Sequence, residues 1–431
     1  MFKTLVNAFK TPEIRNKIFL TLLIVLVYRV CCFVPIPGLD PWTVSASINA
    51  QDTLMGIMSA VTGGALSQGT LLALGIVPYI NASIIMQLLS IVIPALEKLS
   101  KEGGDEGRKK IAKLTRYAAV VLAAIQALGI VLSWNNAGAI SAVFGSKVVG
   151  CVFVGIILVA GSMLAMWLGE RITEYGIGNG TSLIIFIGIL STAGTALVGS
   201  ISTLGVAPEN IWTILLFIGL VVLIFGLIVW MDLSERRITV QYAKQVKGNK
   251  MIGGQNTYIP IKINASGVLP IIFASALATF PQMIINLFWA GTPFAIWWAQ
   301  YLGAGSIVNT IAMPLLIIFF AFFYAQVQFN PEDIARTIQQ RGGAIPSHRP
   351  GKPTIDYLKK INNRITLFGA IFLAMLSLIP SLCFTLIGAD SLGLNSAFTS
   401  TGMLIIVSVA LELNKQLEGQ IMMRHYKGIF K

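Results

Sequence analysis

Side chains able to do chemistry are few in this sequence, and they stand apart from one another. His348 and His425 are its two histidines, and neither has a second ligand at a spacing that would hold a metal ion. Gly351-Lys352 has the look of a phosphate loop, but Pro353 follows it and Pro346 stands where such a loop needs its first glycine. The glycines of the stretch Gly176 to Gly180 lack dinucleotide-binding spacing and follow no strand pattern. Cys31, Cys32, Cys151 and Cys383 lie in or beside apolar runs, without the pairing of a zinc site or of a secreted disulfide framework, and read as small apolar residues. With no nucleophile beside a base and no paired carboxylates, the sequence argues against an enzyme and calls for neither a metal nor a cofactor.

Charges buried in apolar runs would be a second kind of chemistry, since ion-coupled transporters place Asp, Glu or Arg deep in a span to bind substrate or relay protons. Here those runs are almost free of acids. Asp232 and Glu412 fall near run ends, and Arg29 falls near the outer end of the first run, where it can snorkel or find a partner.

What must position these residues is a membrane. Hydrophobic residues make up 55% of the 431 and charged residues only 11%, against roughly 25% charged in a typical soluble domain. Runs long enough for a helix across a hydrocarbon core about 30 Å thick recur along the chain. They lie near Ile18 to Val34, Leu71 to Ile93, Tyr117 to Leu132, Val148 to Leu168, Leu183 to Val198, Ile211 to Met231, Val268 to Phe288, Ile311 to Phe329, Ile365 to Ile387 and Ala397 to Leu413. Each is expected to be helical, because lipid offers the backbone no hydrogen-bond partners. The first run is too long for a signal peptide and ends in Pro35-Ile36-Pro37-Gly38, not in a small-residue cleavage site, so it is read as a retained span.

The net charge of +13 would suit a nucleic-acid binder if it gathered on one face, but the Lys and Arg residues sit between apolar runs. They alternate along the chain: the connections 39–70, 133–147, 199–210, 289–310 and 388–396 hold only Lys147, while the remaining connections and both ends are basic. Because basic loops stay on the cytoplasmic side, ten spans with both termini in the cytoplasm is the consistent topology. Two blocks of five spans would enter the membrane in opposite senses, which permits an inverted repeat around a central pathway.

Two segments break the pattern. Residues 56–70 (GIMSAVTGGALSQGT) are uncharged, rich in Gly and Ser, and too short to span. They read either as an interfacial loop or as a short re-entrant helix inside the protein. The connections 232–267 and 330–364 are too long for tight helix links and carry basic clusters: Glu235-Arg236-Arg237, Tyr242-Ala243-Lys244, Arg341-Gly342-Gly343 and His348-Arg349-Pro350-Gly351. Such clusters suit either anionic lipid or a docking platform for an acidic partner, ribosomal RNA or a motor protein.

Several ordered segments resemble the bacterial SecY family along nearly the whole chain. They are Pro35 to Gly38, Gly63-Gly64-Ala65-Leu66-Ser67, Leu74 to Ile80 with Ala82 to Ile85, Ile172-Thr173-Glu174 with Gly176 to Gly180, Arg236-Arg237-Ile238, Gly267 to Ser275, Asn330 to Asp333, and Arg349-Pro350-Gly351. The resemblance implies an all-α polytopic membrane protein of ten transmembrane helices, in two inverted five-helix halves, 1–205 and 206–431, around a central pore. The implied activity is translocation of unfolded polypeptides across the plasma membrane, with transmembrane segments released laterally into the bilayer.

It further implies a pore ring at Ile76, Ile80, Ile185, Ile189, Ile272 and Ile406, and a re-entrant plug helix over 56–70 that includes Gly63, Gly64, Ala65, Leu66 and Ser67. A lateral gate would carry Gln87 and Asn264, and Arg236, Arg237 and Arg349 would face the SecA motor ATPase or a ribosome. Implied partners are SecE-like and SecG-like small membrane subunits, signal peptides, unfolded secretory and membrane proteins, and the surrounding lipid. A departure lies at Val246 to Gly254, which is less basic than the family's loop leads one to expect. The rival readings, a secondary transporter and an intramembrane enzyme, both lack their residues.

Overall fold

The computed structural model describes residues 6, 8–50, 58–59, 61–101, 104–141, 146–203, 211–242, 245–247, 250–252, 256–264, 267–289, 292–303, 306–388, 394 and 398–429. Residues 56, 57 and 60 of the uncharged segment, Ala243-Lys244 of a basic cluster, and Gly205 at the expected division lie outside them.

Ten helices coincide with the ten apolar runs. They are α1 (Pro12–Cys31), α3 (Val77–Val92), α5 (Gly104–Asn136), α6 (Lys147–Tyr175), α7 (Gly180–Thr203), α8 (Ile211–Leu233), α9 (Leu269–Phe288), α11 (Ile307–Gln328), α13 (Lys352–Ile387) and α14 (Ser400–Ile429). Smaller helices join them: α2 (Pro41–Ala50), α4 (Pro94–Lys101), α10 (Pro293–Tyr301) and α12 (Pro331–Gln340). Proline stands in the first turn of α1, α3, α9, α10, α12 and α13, where its missing N–H has no helical partner to lose. Thr292, Ser306 and Asn330 cap α10, α11 and α12 through their side-chain oxygens.

By length and composition alone, six helices among the described residues can cross a bilayer: α5, α6, α7, α8, α11 and α13. Of the others, the most consequential is α3, whose 16 residues span about 24 Å, less than a hydrocarbon core. The apolar run reads as continuous from Leu71, but the chain passes through turns until Ile76 and Gly75 takes a positive φ of 52°. These turns are tolerated at depth because they are enclosed: Leu72, Ala73 and Leu74 are wholly buried.

Large apolar side chains on the outer faces are exposed, as lipid contact requires, for example Leu22, Leu23 and Leu26 on α1 and Trp212, Leu215 and Leu216 on α8. Inside, α7 packs on α14, and α5 packs on α9, so the first five spans meet the last five along two seams. Beyond the helices, β1 (Glu235–Tyr242) pairs antiparallel with β4 (Asn256–Lys262), while β2 (Gln245–Lys247) and β3 (Lys250–Ile252) form a small ribbon between them. The strand β5 (Gly343–Ala344) adds to the other edge of β1, matching Gln241 with Ala344 and Tyr242 with Gly343. The two long basic connections are therefore one three-stranded sheet, in the order β4-β1-β5.

Candidate functional site

The six isoleucines come from four places in the chain and meet in one apolar cluster. Ile76, at the threshold of α3, and Ile185 and Ile189 of α7 are buried within it, while Ile80 of α3, Ile272 of α9 and Ile406 of α14 pack against it half-buried. Ile80 and Ile272 also touch the separate cluster built mainly from α8, α9, α11, α13 and α14, so the isoleucines lie where the two sets of helices meet. Glycine allows the approach. A Cβ at Gly402 of α14 would come within 2.9 Å of the Ile189 side chain, and one at Gly169 of α6 within 3.1 Å of Ile76. β-Branched side chains hold few rotamers, so these isoleucines are stiff.

Helix α7 serves as a ruler across this region, since it rises about 1.5 Å per residue. At its start, Ser182 and Ile185 line a cavity of about 440 Å³ together with Ile272, Asp232, Asn264, Ser408, Glu412 and Lys415. One turn further along α7, Gly188 and Ile189 carry the isoleucine cluster and the backbone of the uncharged segment, and Ser191 follows. The cavity thus lies at the start of α7, and the isoleucine cluster and the irregular segment meet side by side about one turn further along.

The described part of the uncharged segment is largely covered by the helices around it, with Gln68 exposed. Its described part is helical at 58, 59 and 61 and then turns tightly from 62 to 69, with Gly63 and Gly64 at φ 73° and 85°. Thr62, Ala65 and Leu66 are each about 1% exposed. Ser67 Oγ donates to the Gly64 carbonyl at 2.9 Å, and Thr70 Oγ1 to that of Ala65 at 3.1 Å. A Cβ at Gly188 would overlap the Val61 carbonyl, and one at Gly161 that of Leu71, so the segment lies directly on the backbone of α7 and the residue that follows it on that of α6.

Gln87 and Asn264 find different surroundings. Gln87 is exposed on α3. Asn264, just before α9, is 8% exposed, and its Nδ2 donates to Asp232 Oδ1 at 2.7 Å. Asp232 Oδ2 also accepts from Ser408 Oγ, so this carboxylate ties α8, the root of α9, and α14 together. Residue type alone offered little to single out Ser408.

Arg236, Arg237 and Arg349 are all exposed on the sheet-bearing face. In β1, Ile238 and Val240 point into a small core with Ile261, Ile338, Ile345 and Leu358, which leaves the intervening residues outward. Arg237 lies 4.9 Å from the centre of the Tyr258 ring, and its Nε donates to Glu235 at 2.8 Å. The Glu235 carboxylate holds its guanidinium pKa above the ordinary value. Arg349 stands in the turn leading to α13, between Ser347 at φ 70° and Gly351 at φ 102°. The neighbouring His348 ring packs 3.9 Å from that of Tyr357. Lys415, beyond the last apolar run, has its ammonium pKa lowered first by burial and then by Lys262 beside it.

Residues 70–414 match the SecY family model. The chain belongs to the SecY family. It is 40% identical to the protein translocase subunit SecY of Streptomyces coelicolor, over the full length of both chains. It is also 40% identical to that of Thermus thermophilus, over 99% of this chain and 97% of the relative. Among solved structures it resembles one described as a SecY protein whose plug domain stabilises the closed state of the translocation channel and maintains a membrane seal. That likeness has a TM-score of 0.65 at 21% identity, over 93% of this chain and 91% of the other. It also resembles Sec61 in a canine ribosome-channel complex from the endoplasmic reticulum, with a TM-score of 0.60 at 20% identity over 93% and 91% of the two chains. The fold is that of the SecY and Sec61 channels, and the chain is an all-α polytopic membrane protein of that family.

Proposed function

We propose that this SecY-family chain is the pore subunit of a protein-conducting channel in the bacterial plasma membrane, moving unfolded polypeptides outward and releasing apolar segments sideways into lipid. The observation that carries this reading is the arrangement along α7: a cavity walled in part by charged residues at its start, then six isoleucines where two helix sets meet, with a buried irregular segment beside them. Apolar packing between helices gains little over lipid. A ring whose alternative neighbour is water differs, because a narrow apolar constriction excludes water and ions yet yields to an extended chain.

On this reading both termini and the basic sheet face the cytoplasm, and residues 1–205 and 206–431 form two inverted halves. The cavity is the cytoplasmic vestibule, and residues 56–70 are the plug. The halves part between α3 and α5 on one side and α9 and α11 on the other, with Gln87 and Asn264 near that seam. Arg236, Arg237 and Arg349 dock a motor of the SecA kind or a ribosome, whose carboxylates or phosphates suit the planar guanidinium fork. Work comes from those partners, while small SecE-like and SecG-like subunits clamp the halves.

The test is ATP-dependent import of an unfolded secretory precursor into vesicles holding this chain, a SecE-like subunit and the SecA motor. Import that requires the chain is the expected result. Reproducible failure with every partner assembled would return the transporter reading to first place.

A further inference from the structure

Arg29 is a cation in the last turn of α1, at a depth where charge is costly and, where it occurs, usually functional. Its Nη2 donates to Ser191 Oγ on α7. Its Nη1 is buried and has no hydrogen-bond partner among the described residues. A Cβ added at Gly63 would overlap Nη1, so the guanidinium lies across the backbone of the re-entrant segment. Gly188 lies against the same side of Gly63, its Cα 3.2 Å from where that Cβ would stand, and the Phe33 ring lies 5.5 Å from the Arg29 guanidinium carbon.

We infer that Arg29 is the positioning residue of the closed channel: a bar laid across Gly63 and locked by Ser191, which keeps the plug segment against α7 beside the isoleucine ring. The inference rests on reading that segment as the plug. Three features suit a bar that must open. First, its lock is a hydroxyl and not a carboxylate, so release breaks no ion pair in a dry site. Second, Gly63 is needed twice over, because its φ of 73° disfavours any side chain and a Cβ would strike the guanidinium. Third, the unpaired Nη1 is unsatisfied only while the segment is seated. Once the segment leaves, water or a carbonyl of the passing chain can accept from it, which offsets part of the cost of opening.

The experiment uses the assembled complex in vesicles, with Ser67→Cys as a reporter of how often the segment leaves its seat. Ser67 is half-buried when seated. The labelling rate by a membrane-impermeant maleimide is read with and without the bar, and the same complexes lacking Ser67→Cys measure background from the native cysteines. Arg29→Leu and Ser191→Ala should each raise the rate about ten-fold, the effect of losing one charged hydrogen bond. Arg29→Lys, which keeps the charge and a single donor, should fall between them and the parent. Co-purification with the small subunits identifies the variants that fold.

Unchanged labelling in Ser191→Ala and in every folded Arg29 variant overturns the bar. Ion leak, measured on the same vesicles, separates the bar from the plug reading. Faster labelling without leak keeps the bar and removes the segment's role as a seal. Leak caused by Gly188→Leu, with Arg29→Leu and Ser191→Ala silent in both readouts, keeps the seal and removes the bar.

Discussion

Aromatic rings interlock between the helices after residue 210, while the irregular segment among the earlier helices rests on glycines. Phe217 lies 4.8 Å from Phe384 and 5.2 Å from Phe398, while Phe273 lies 5.6 Å from Phe320 and 5.9 Å from Tyr324. On the other side, Gly161 and Gly188 bring irregular backbone onto helix backbone, where side-chain hydroxyls, turn hydrogen bonds and a bridge from Pro35 to Thr70 hold it. Interlocked aromatic rings resist sliding because each fills a shaped space. Backbone lying on glycine gives close contact with no knob to withdraw. The later helices thus interlock through side chains, while the segment proposed as the plug rests on backbone among the earlier ones.

The strongest blow to this contrast is Phe217→Ala. It should lower stability by about 3–5 kcal/mol, the range for emptying a buried aromatic site, read as thermal unfolding of the purified complex. Gly188→Ala should behave oppositely, costing about 1–3 kcal/mol for overpacking but raising ion leak clearly, because its Cβ meets the Val61 carbonyl. If both variants unfolded alike without leak, the contrast would fail. Between these lies Ile406→Asn, expected to leave the protein folded while increasing leak and relaxing signal-sequence selectivity. Misfolding without leak would reduce the isoleucine ring to ordinary packing.

A smaller effect sharpens the comparison from outside the membrane. Arg349→Glu should weaken motor-driven export more than assembly with the small subunits, since the side chain is exposed and holds no described partner. Equal loss of both would make it structural. Smallest of all, Asn264→Ala removes one of the two described donors to Asp232 and should cost about 1–3 kcal/mol, measurable by thermal unfolding.

Much of this fold was legible because lipid leaves the backbone so little choice. Apolar runs had to be helices, and the helices coincide with them. The exceptions have local causes. The second run looked unbroken from Leu71, yet Gly75 and Pro78 delay its helix to Val77. The pairing of β5 with β1 left no trace, because Gly343-Ala344 is too short to show alternation. The isoleucines became candidates only through family resemblance, since isoleucine in a span is otherwise ordinary. Arg29 stood out as a lone cation, but nothing about a serine 162 residues away marks it as the partner. Asn264 was expected at the lateral gate, and what it holds is the Asp232 carboxylate, whose position at a run end had made it look peripheral.

The joining of two distant connections into one sheet has a consequence for affinity. A partner that grips one of two independent flexible loops must still wait for the other, and the second contact then depends on chance encounter. Here β1 and β5 hold the loops in register before anything arrives. Folding has already met the entropy of bringing them together, so the second grip is an intramolecular event at high effective concentration. For a partner that docks as proposed, two individually weak arginine contacts would act as one bivalent handle, each lost contact re-forming while the other holds.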